Sequence, residues 1–97
     1  MTWDGEAIWV WAPGLLATRM ARRLTVLTPT AELPLVLDDN ASVVVDLLDG
    51  MPLDQVLSAV VEMYDVAPDV AREDIAHLIE ALARHGVVVP RKRAVPA

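Results

Sequence analysis

The chain has 97 residues, of which 55% are hydrophobic, and its formal net charge is −6 at pH 7. This length suits one domain with a single core, and the composition excludes a disordered chain. Cysteine is absent, which excludes disulfides and thiolate metal sites. The sequence shows neither a signal-peptide pattern nor an apolar run long enough for a membrane span. We therefore predict a cytoplasmic protein with no membrane partner.

Acidic residues are concentrated in the second half of the chain. Residues 38–85 carry eleven acidic and two basic side chains, residues 1–37 are balanced, and Arg91-Lys92-Arg93 is basic. An acidic helical surface repels phosphate, which argues against nucleic acid as the main ligand. These acidic side chains either keep an aliphatic domain soluble or favour a basic partner. The sequence leaves both interpretations open.

Three of the four aromatic residues stand near the start of the chain, at Trp3, Trp9 and Trp11. The alternation of residues 8–11 indicates a strand, with Pro13-Gly14 as the turn after it. Indole side chains near a terminus either cover a small core or form a contact surface for a partner. We expect the first role here, with the second as the alternative.

The stretch from Leu15 to Leu27 is compatible with two structures. Ala, Leu, Arg and Met dominate its first half and favour a helix by propensity. Its second half is short and β-branched, which favours a strand. The alternative to a helix is a hairpin, in which strands Leu15–Arg19 and Leu24–Thr28 are joined by a tight turn at residues 20–22.

The run Leu33–Leu37 is continuously apolar and predicts a short buried strand. Pro34 has no N–H group, so this strand should lie at the edge of a sheet or begin at the proline. Asp38 or Asp39 then caps a helix, because a carboxylate accepts the unpaired N–H groups of a first helical turn.

Three helices follow the predicted strand. The first covers about Asn40–Asp49 and ends at Gly50, a residue suited to the position after a helix. The second starts at Pro52-Leu53, and the third starts near Pro68-Asp69 and ends at Gly86. Val87–Val89 can continue as a short extended segment.

Each helix carries an apolar stripe at helical spacing. The stripe residues are Val44, Leu47 and Leu48 in the first helix, Leu53, Val56, Leu57, Val60 and Tyr64 in the second, and Ala71, Ile75, Leu78, Leu82 and His85 in the third. With strands first and helices after, the sequence predicts an α+β domain that resembles a winged helix.

No set of residues forms a catalytic constellation, so we predict that the protein is not an enzyme. His77 and His85 stand two turns apart on one helix, about 12 Å, which is too far to share a metal ion. Ser42 and Ser58 are the only serines, and neither has the surroundings of a nucleophile. Acid pairs such as Glu73-Asp74 suit helix ends better than acid–base chemistry. We predict no metal and no cofactor.

Several short segments, spread over residues 11–89, resemble the pattern of PqqD-like proteins. They are Trp11-Ala12-Pro13-Gly14, Leu35-Val36-Leu37-Asp38-Asp39-Asn40-Ala41, Leu47-Leu48-Asp49-Gly50, Met63-Tyr64-Asp65-Val66, Val70-Ala71-Arg72-Glu73-Asp74-Ile75 and Leu82-Ala83-Arg84-His85-Gly86-Val87-Val88. This family comprises the recognition elements for precursors of RiPPs, the ribosomally synthesised and post-translationally modified peptides. The shared residues are core, cap and turn positions.

The resemblance implies a three-stranded antiparallel sheet followed by three helices, in a winged-helix-turn-helix-like fold. It therefore favours the hairpin over the helix for Leu15–Leu27. It divides the chain into an N-terminal extension (residues 1–10), a PqqD-like domain (11–89) and a flexible basic tail (90–97). It also implies a function, the binding of a precursor's leader peptide and its delivery to a maturation enzyme.

In the family, the leader adds as a strand to the third strand and packs against the third helix. Carried over to this chain, the resemblance implies the peptide-binding residues Leu33, Leu35, Val36, Leu37, Val70, Asp74, Ile75, Leu78 and Leu82. Two departures from the family pattern stand out. Pro34 removes one donor from the pairing strand, and Pro52 replaces the hydroxyl cap that is common at this position.

The expected partners are a leader peptide and a separate modifying enzyme or leader peptidase. The alternative is a winged-helix DNA-binding regulator, whose recognition helix should be basic. The third helix is instead acidic, so we predict no nucleic-acid partner. The sequence does not give the oligomeric state.

Overall fold

The computed structural model of the protein describes residues 3–21, 23–29 and 34–91. The elements are β1 (Trp9–Trp11), β2 (Leu16–Met20), β3 (Arg23–Leu27), β4 (Leu35–Leu37), α1 (Asp39–Leu48), α2 (Leu53–Tyr64), α3 (Pro68–Arg84) and β5 (Val88–Pro90). The predicted strand start at Leu33 and the predicted tail from Lys92 onward lie outside the described residues.

Strands β2, β3 and β4 form one antiparallel sheet in that order. The predicted hairpin is confirmed, with both strands displaced by one residue from the predicted bounds. The helical interpretation of this stretch is wrong, because the β-branched second half pairs on both sides, with β2 and with β4. Ala21 takes a left-handed conformation in the tight turn, with φ of 55°.

The sheet has two different faces. The inner face presents Leu24 and Val26 of β3 and Leu37 of β4, all buried, to the helices. Successive side chains of a strand point to opposite faces. The other face, called the outer face below, therefore carries Leu16, Thr18, Met20, Arg23, Thr25, Leu27 and Val36.

The helix ends follow the predicted chemistry. Asp38 is the N-cap of α1, and its carboxylate accepts the N–H of Ala41 at 2.7 Å. Gly50 and Gly86 follow the ends of α1 and α3 with φ of 81° and 75°, values that glycine adopts without strain. Pro68 stands in the first turn of α3. The predicted helices are thus confirmed to within about one residue.

The core lies between the inner face of the sheet and the helices. The predicted α2 stripe is buried from Leu53 to Val60, whereas Tyr64 at its end is partly exposed. In α3, His85 is wrong as a stripe residue, because the helix ends at Arg84 and the histidine is an exposed cap. Ile79 takes part in the core instead and is fully buried.

A second, two-stranded sheet joins the start of the described chain to its end. β1 and β5 pair antiparallel, with Trp9 opposite Pro90 and Trp11 opposite Val88. Further bonds hold this N-terminal segment, since the N–H of Trp11 donates to the Asp49 carboxylate at 3.1 Å. All three tryptophans are half-buried against the core. This placement favours the core-covering role for the indoles.

The order of strands and helices confirms the predicted α+β fold, with the β1–β5 sheet as an addition. The likeness to a winged helix is loose, since the hairpin here comes before the three helices. None of the helices in the described ranges is both long and apolar enough to cross a membrane.

Candidate functional site

The free edge of the β2–β3–β4 sheet is formed by β4. On one side β4 pairs with β3 over three residues, from Leu35 opposite Val26 to Leu37 opposite Leu24. Along its other side the described residues place no further strand. An edge strand with unpaired main-chain groups is a template for another strand.

Ser42 of α1 shows which main-chain groups point to this edge. Its hydroxyl accepts the N–H of Leu24 at 3.2 Å and donates to the carbonyl of Leu37 at 3.4 Å. The main-chain N–H of Leu24 and the main-chain carbonyl of Leu37 therefore both point into the space between β3 and β4. Because successive residues of a strand direct these groups to opposite sides, the N–H and C=O of Val36 point to the open edge.

An apolar cavity of about 350 Å³ opens where β4 ends and α1 begins. Its walls come from the start of α1, the end of α2, the α2–α3 loop and the first half of α3. The lining residues are Asp38, Asn40, Ala41, Val44, Val60, Tyr64, Val66, Ala71, Asp74, Ile75 and Leu78. Asp38, which lines the cavity, directly follows Leu37, so the cavity lies beside the end of the edge strand β4.

The cavity combines an apolar lining with two carboxylates. Asp38 and Asp74 stand on opposite elements, α1 and α3, and both are exposed. No arginine, lysine or histidine is among the lining residues in the described part of the chain. An extended ligand with one apolar and one basic side chain would match this lining.

The structure brings three of the predicted site residues together in the cavity, namely Asp74, Ile75 and Leu78. Val70 lies one turn before Asp74 on the same helix face but outside the lining, with 52% of its surface exposed. Leu82 is buried in the core at the far end of α3.

The β4 residues of the predicted site divide by face. Val36 is exposed on the outer face, Leu35 is half-buried and Leu37 is buried on the inner face. Leu33 lies outside the described residues. The binding role of all these residues stays a prediction.

Sequence reasoning missed the side of the cavity formed by α1 and α2. Asp38 was predicted only as a helix cap, and Tyr64 only as the end of an apolar stripe. A signal for Tyr64 was present, because a stripe residue at the end of a helix stands where the core meets solvent. Asp65, with φ of 50°, ends α2 directly after it.

No group of three potential metal-ligating side chains converges within the described ranges.

α3 carries Asp69, Glu73, Asp74 and Glu80 against Arg72 and Arg84. This acidic helix does not have the charge that a DNA recognition helix needs.

The sequence profile of the family "Coenzyme PQQ synthesis protein D (PqqD)" matches residues 27–88. No curated protein matches the chain in sequence.

Two solved structures share the fold. "TbiB1 in Complex with the TbiA(beta) Leader Peptide" is 16% identical, with a TM-score of 0.77 over 87% of this chain and 99% of that chain. "Lasso peptide synthetase B1 complexed with the leader peptide" is 23% identical, with a TM-score of 0.71 over 84% of this chain and 98% of that chain. At these identities the likeness establishes the fold alone.

Proposed function

Because the chain belongs to the PqqD family, with more than half of its length matched, we propose that it is a leader-peptide-binding adaptor of RiPP biosynthesis. It holds the leader of a precursor peptide and delivers the precursor to a maturation enzyme. One observation carries the proposal: the open edge strand β4 ends directly beside an apolar cavity, which Asp38 helps to line. Both structural neighbours are complexes with leader peptides, which supports the same role here.

The main chain of the leader pairs with β4. The N–H and C=O of Val36 supply one donor and one acceptor at the open edge. Pro34 has no N–H and limits the pairing at the start of the strand. Main-chain pairing gives affinity with little demand on the leader's sequence.

The cavity supplies the sequence preference. One large apolar side chain of the leader fills the space between Ile75, Leu78 and Val44. A nearby lysine or arginine pairs with Asp38 and Asp74. This pairing offsets the free-energy cost of removing water from the two carboxylates when the leader covers them. The leader is therefore recognised by a short motif, one apolar and one basic residue.

The proposed adaptor has no reaction of its own and works in the cytoplasm, where ribosomal precursors are made. A separate modifying enzyme or leader peptidase carries out the chemistry. The affinity for the leader should be moderate, because a short edge strand and one cavity bury far less than a standard interface.

Titration with a labelled leader peptide tests the proposal. The peptide is taken from the short reading frame beside the gene, and its binding is followed by fluorescence anisotropy. We expect a Kd in the micromolar range or below, with the amide resonance of Val36 shifted in heteronuclear NMR spectra. A separate titration with labelled duplex DNA tests the alternative function, DNA binding.

Leu78→Asp is the informative variant, since it places a third carboxylate at the cavity at a half-buried position on the edge of the core. It should weaken leader binding and leave the circular dichroism spectrum unchanged. Salt-sensitive binding of duplex DNA, together with no affinity for the leader, would contradict the adaptor function.

A further inference from the structure

The outer face of the β2–β3–β4 sheet is largely apolar and exposed, and the proposed leader site uses only the main chain of one of its residues, Val36. Met20 is 73% exposed, Leu16 68% and Val36 56%. Three of the seven large hydrophobic side chains that are most exposed in the described chain therefore share this one face. Single exposed apolar residues are ordinary, but a contiguous group marks an interaction surface.

The strand register shows how these side chains are arranged, with Thr18 and Thr25 between the apolar ones. Leu16 stands opposite Leu27 across the hairpin, and Thr25 stands between Thr18 and Val36 in the middle of the sheet. Paired residues have Cβ atoms about 4.5–5.5 Å apart. Apolar side chains thus occur on all three strands of this face, with threonines between them, and the face ends at β4, the strand to which the leader would be added.

The charge of this part of the chain is opposite to that of the helices. From Ala7 to Ala31 the sequence contains three arginines and no acidic residue, whereas residues 38–85 are strongly acidic. Arg19 is neutralised by Asp46 of α1, in a two-pronged contact of 2.8 and 2.9 Å. Arg23 is exposed on the outer face, opposite Met20 in the register.

From these observations we propose that the outer face docks a second protein whose contact surface is mainly apolar and carries an acidic side chain opposite Arg23. This inference rests on the proposed function: the docking partner is the maturation enzyme that receives the leader. A second copy of the chain is a poorer match. Two outer faces would bring like charges together, and an outer face against an acidic helical surface would build rings or open chains of subunits rather than a closed dimer.

The size of the face determines what kind of docking to expect. Three short strands present only a small part of the roughly 800 Å² per partner that a stable complex buries. A leader strand added to β4 would widen the sheet by about 4.8 Å beside Val36. The enzyme then contacts the adaptor and the leader together, so it should bind the loaded adaptor more tightly than the empty one.

The test uses the full chain and the purified proteins encoded by the genes that flank it. Their binding is measured by biolayer interferometry with and without the leader. Met20→Glu is compared with Met63→Glu, the same change at a methionine that is 57% exposed on α2. Arg23→Glu is compared with Arg84→Glu, a charge reversal at the end of α3.

We expect one flanking protein to bind, with affinity increased by the leader. Met20→Glu should weaken that binding at least about tenfold, because it places a charge in the apolar contact, and Arg23→Glu should weaken it several-fold, while the two control variants should leave it within about twofold. Leader affinity should be the same in all four variants. Circular dichroism confirms that each is folded.

Other results overturn the inference in distinguishable ways. If the leader binds but no flanking protein does, or if Met20→Glu and Met63→Glu act alike, the docking surface is refuted and the adaptor function stands. If the leader does not bind while Met20→Glu still disrupts enzyme binding, the docking surface stands and the leader site is refuted. If sedimentation velocity shows a dimer that Met20→Glu dissociates, the occupant is a second copy and the inference fails.

Discussion

The hydroxyl of Ser42 donates a hydrogen bond to the carbonyl oxygen of Leu37, 3.4 Å away. The same oxygen atom of Ser42 accepts the N–H of Leu24. A side chain of α1 thus stands between β3 and β4, and both main-chain groups that it serves are buried with it. The edge strand is therefore held in position by the helix that follows it.

Ser42→Ala should lower the free energy of unfolding by about 1–3 kcal/mol, because the buried N–H of Leu24 loses its acceptor. Urea denaturation measures this change. Ser58→Ala is the control, since that exposed serine donates only to the carbonyl of Asp54 in the preceding turn. It should change stability by no more than about 0.5 kcal/mol. Equal losses in both variants would contradict the role of Ser42.

Adjacent residues of α3 should separate stability from binding. Ile79→Ala empties a fully buried site in the core and should cost about 2–5 kcal/mol of unfolding free energy. Leu78→Ala removes a half-buried side chain from the cavity lining, so it should cost less than half as much but weaken leader binding several-fold. Thermal denaturation and peptide titration of the two proteins test this difference. If the two variants lowered leader affinity equally when compared at the same folded fraction, the assignment of Leu78 to the binding site would be refuted.

Val36→Pro tests the strand pairing directly. Proline removes the N–H that points to the open edge but takes no bond from the pairing with β3. We expect leader affinity to fall about five- to tenfold, the worth of one hydrogen bond, while Val36→Ala keeps the donor and most of the affinity. Isothermal titration calorimetry provides both values. Leader binding unaffected by the proline would exclude pairing through Val36.

The cap that Asp38 provides for α1 should depend on its hydrogen bond to Ala41 and not on its charge. Asp38→Ala removes the cap of α1 and should destabilise the protein by about 1 kcal/mol. Asp38→Asn keeps an equally good cap, so the free energy of unfolding should stay within about 0.5 kcal/mol of the original. Chemical denaturation of both variants is the measurement. A loss in Asp38→Asn as large as in Asp38→Ala would show that the charge, and not the hydrogen bond to Ala41, is what stabilises α1.

The charge of Asp74 should matter for the ligand and not for the fold. With a leader that contains lysine or arginine, Asp74→Asn should weaken binding a few-fold and reduce its dependence on salt. Glu73→Gln makes the same change in charge at a neighbouring residue that does not line the cavity. It should leave leader binding unchanged. Equal effects of the two variants would assign these acidic residues to general surface charge.

Local chemistry made the helices predictable. Asp38, Gly50 and Gly86 mark their ends by rules that act within a few residues, and the α2 stripe identifies its buried side. The hairpin was less certain, because helix propensity competes with strand pairing over Leu15–Leu27. The pairing of β3 with β4 decides in favour of the hairpin, and the residues of β4 lie outside this stretch.

The remaining features depend on residues that are distant in sequence. The pairing of β1 with β5 joins positions about eighty residues apart, and neither strand predicts the other. The cavity likewise combines Asp38, Tyr64 and Asp74, which belong to three different helical regions. Ile79 was missed because α3 packs on β5 as well as on α2, so its buried surface is wider than one stripe.

The pairing of β1 with β5 also brings the two ends of the segment from Trp9 to Pro90 to the same place. Trp9 and Pro90 are register partners, and the Cα atoms of such partners are about 4.5–5.5 Å apart. This segment can therefore be inserted into a surface loop of a host protein without spreading the two sides of that loop, with loss of the contacts that residues 3–8 make with α2. A short linker could equally join these two strands and close the polypeptide into a ring, with the path of β1 and β5 unchanged.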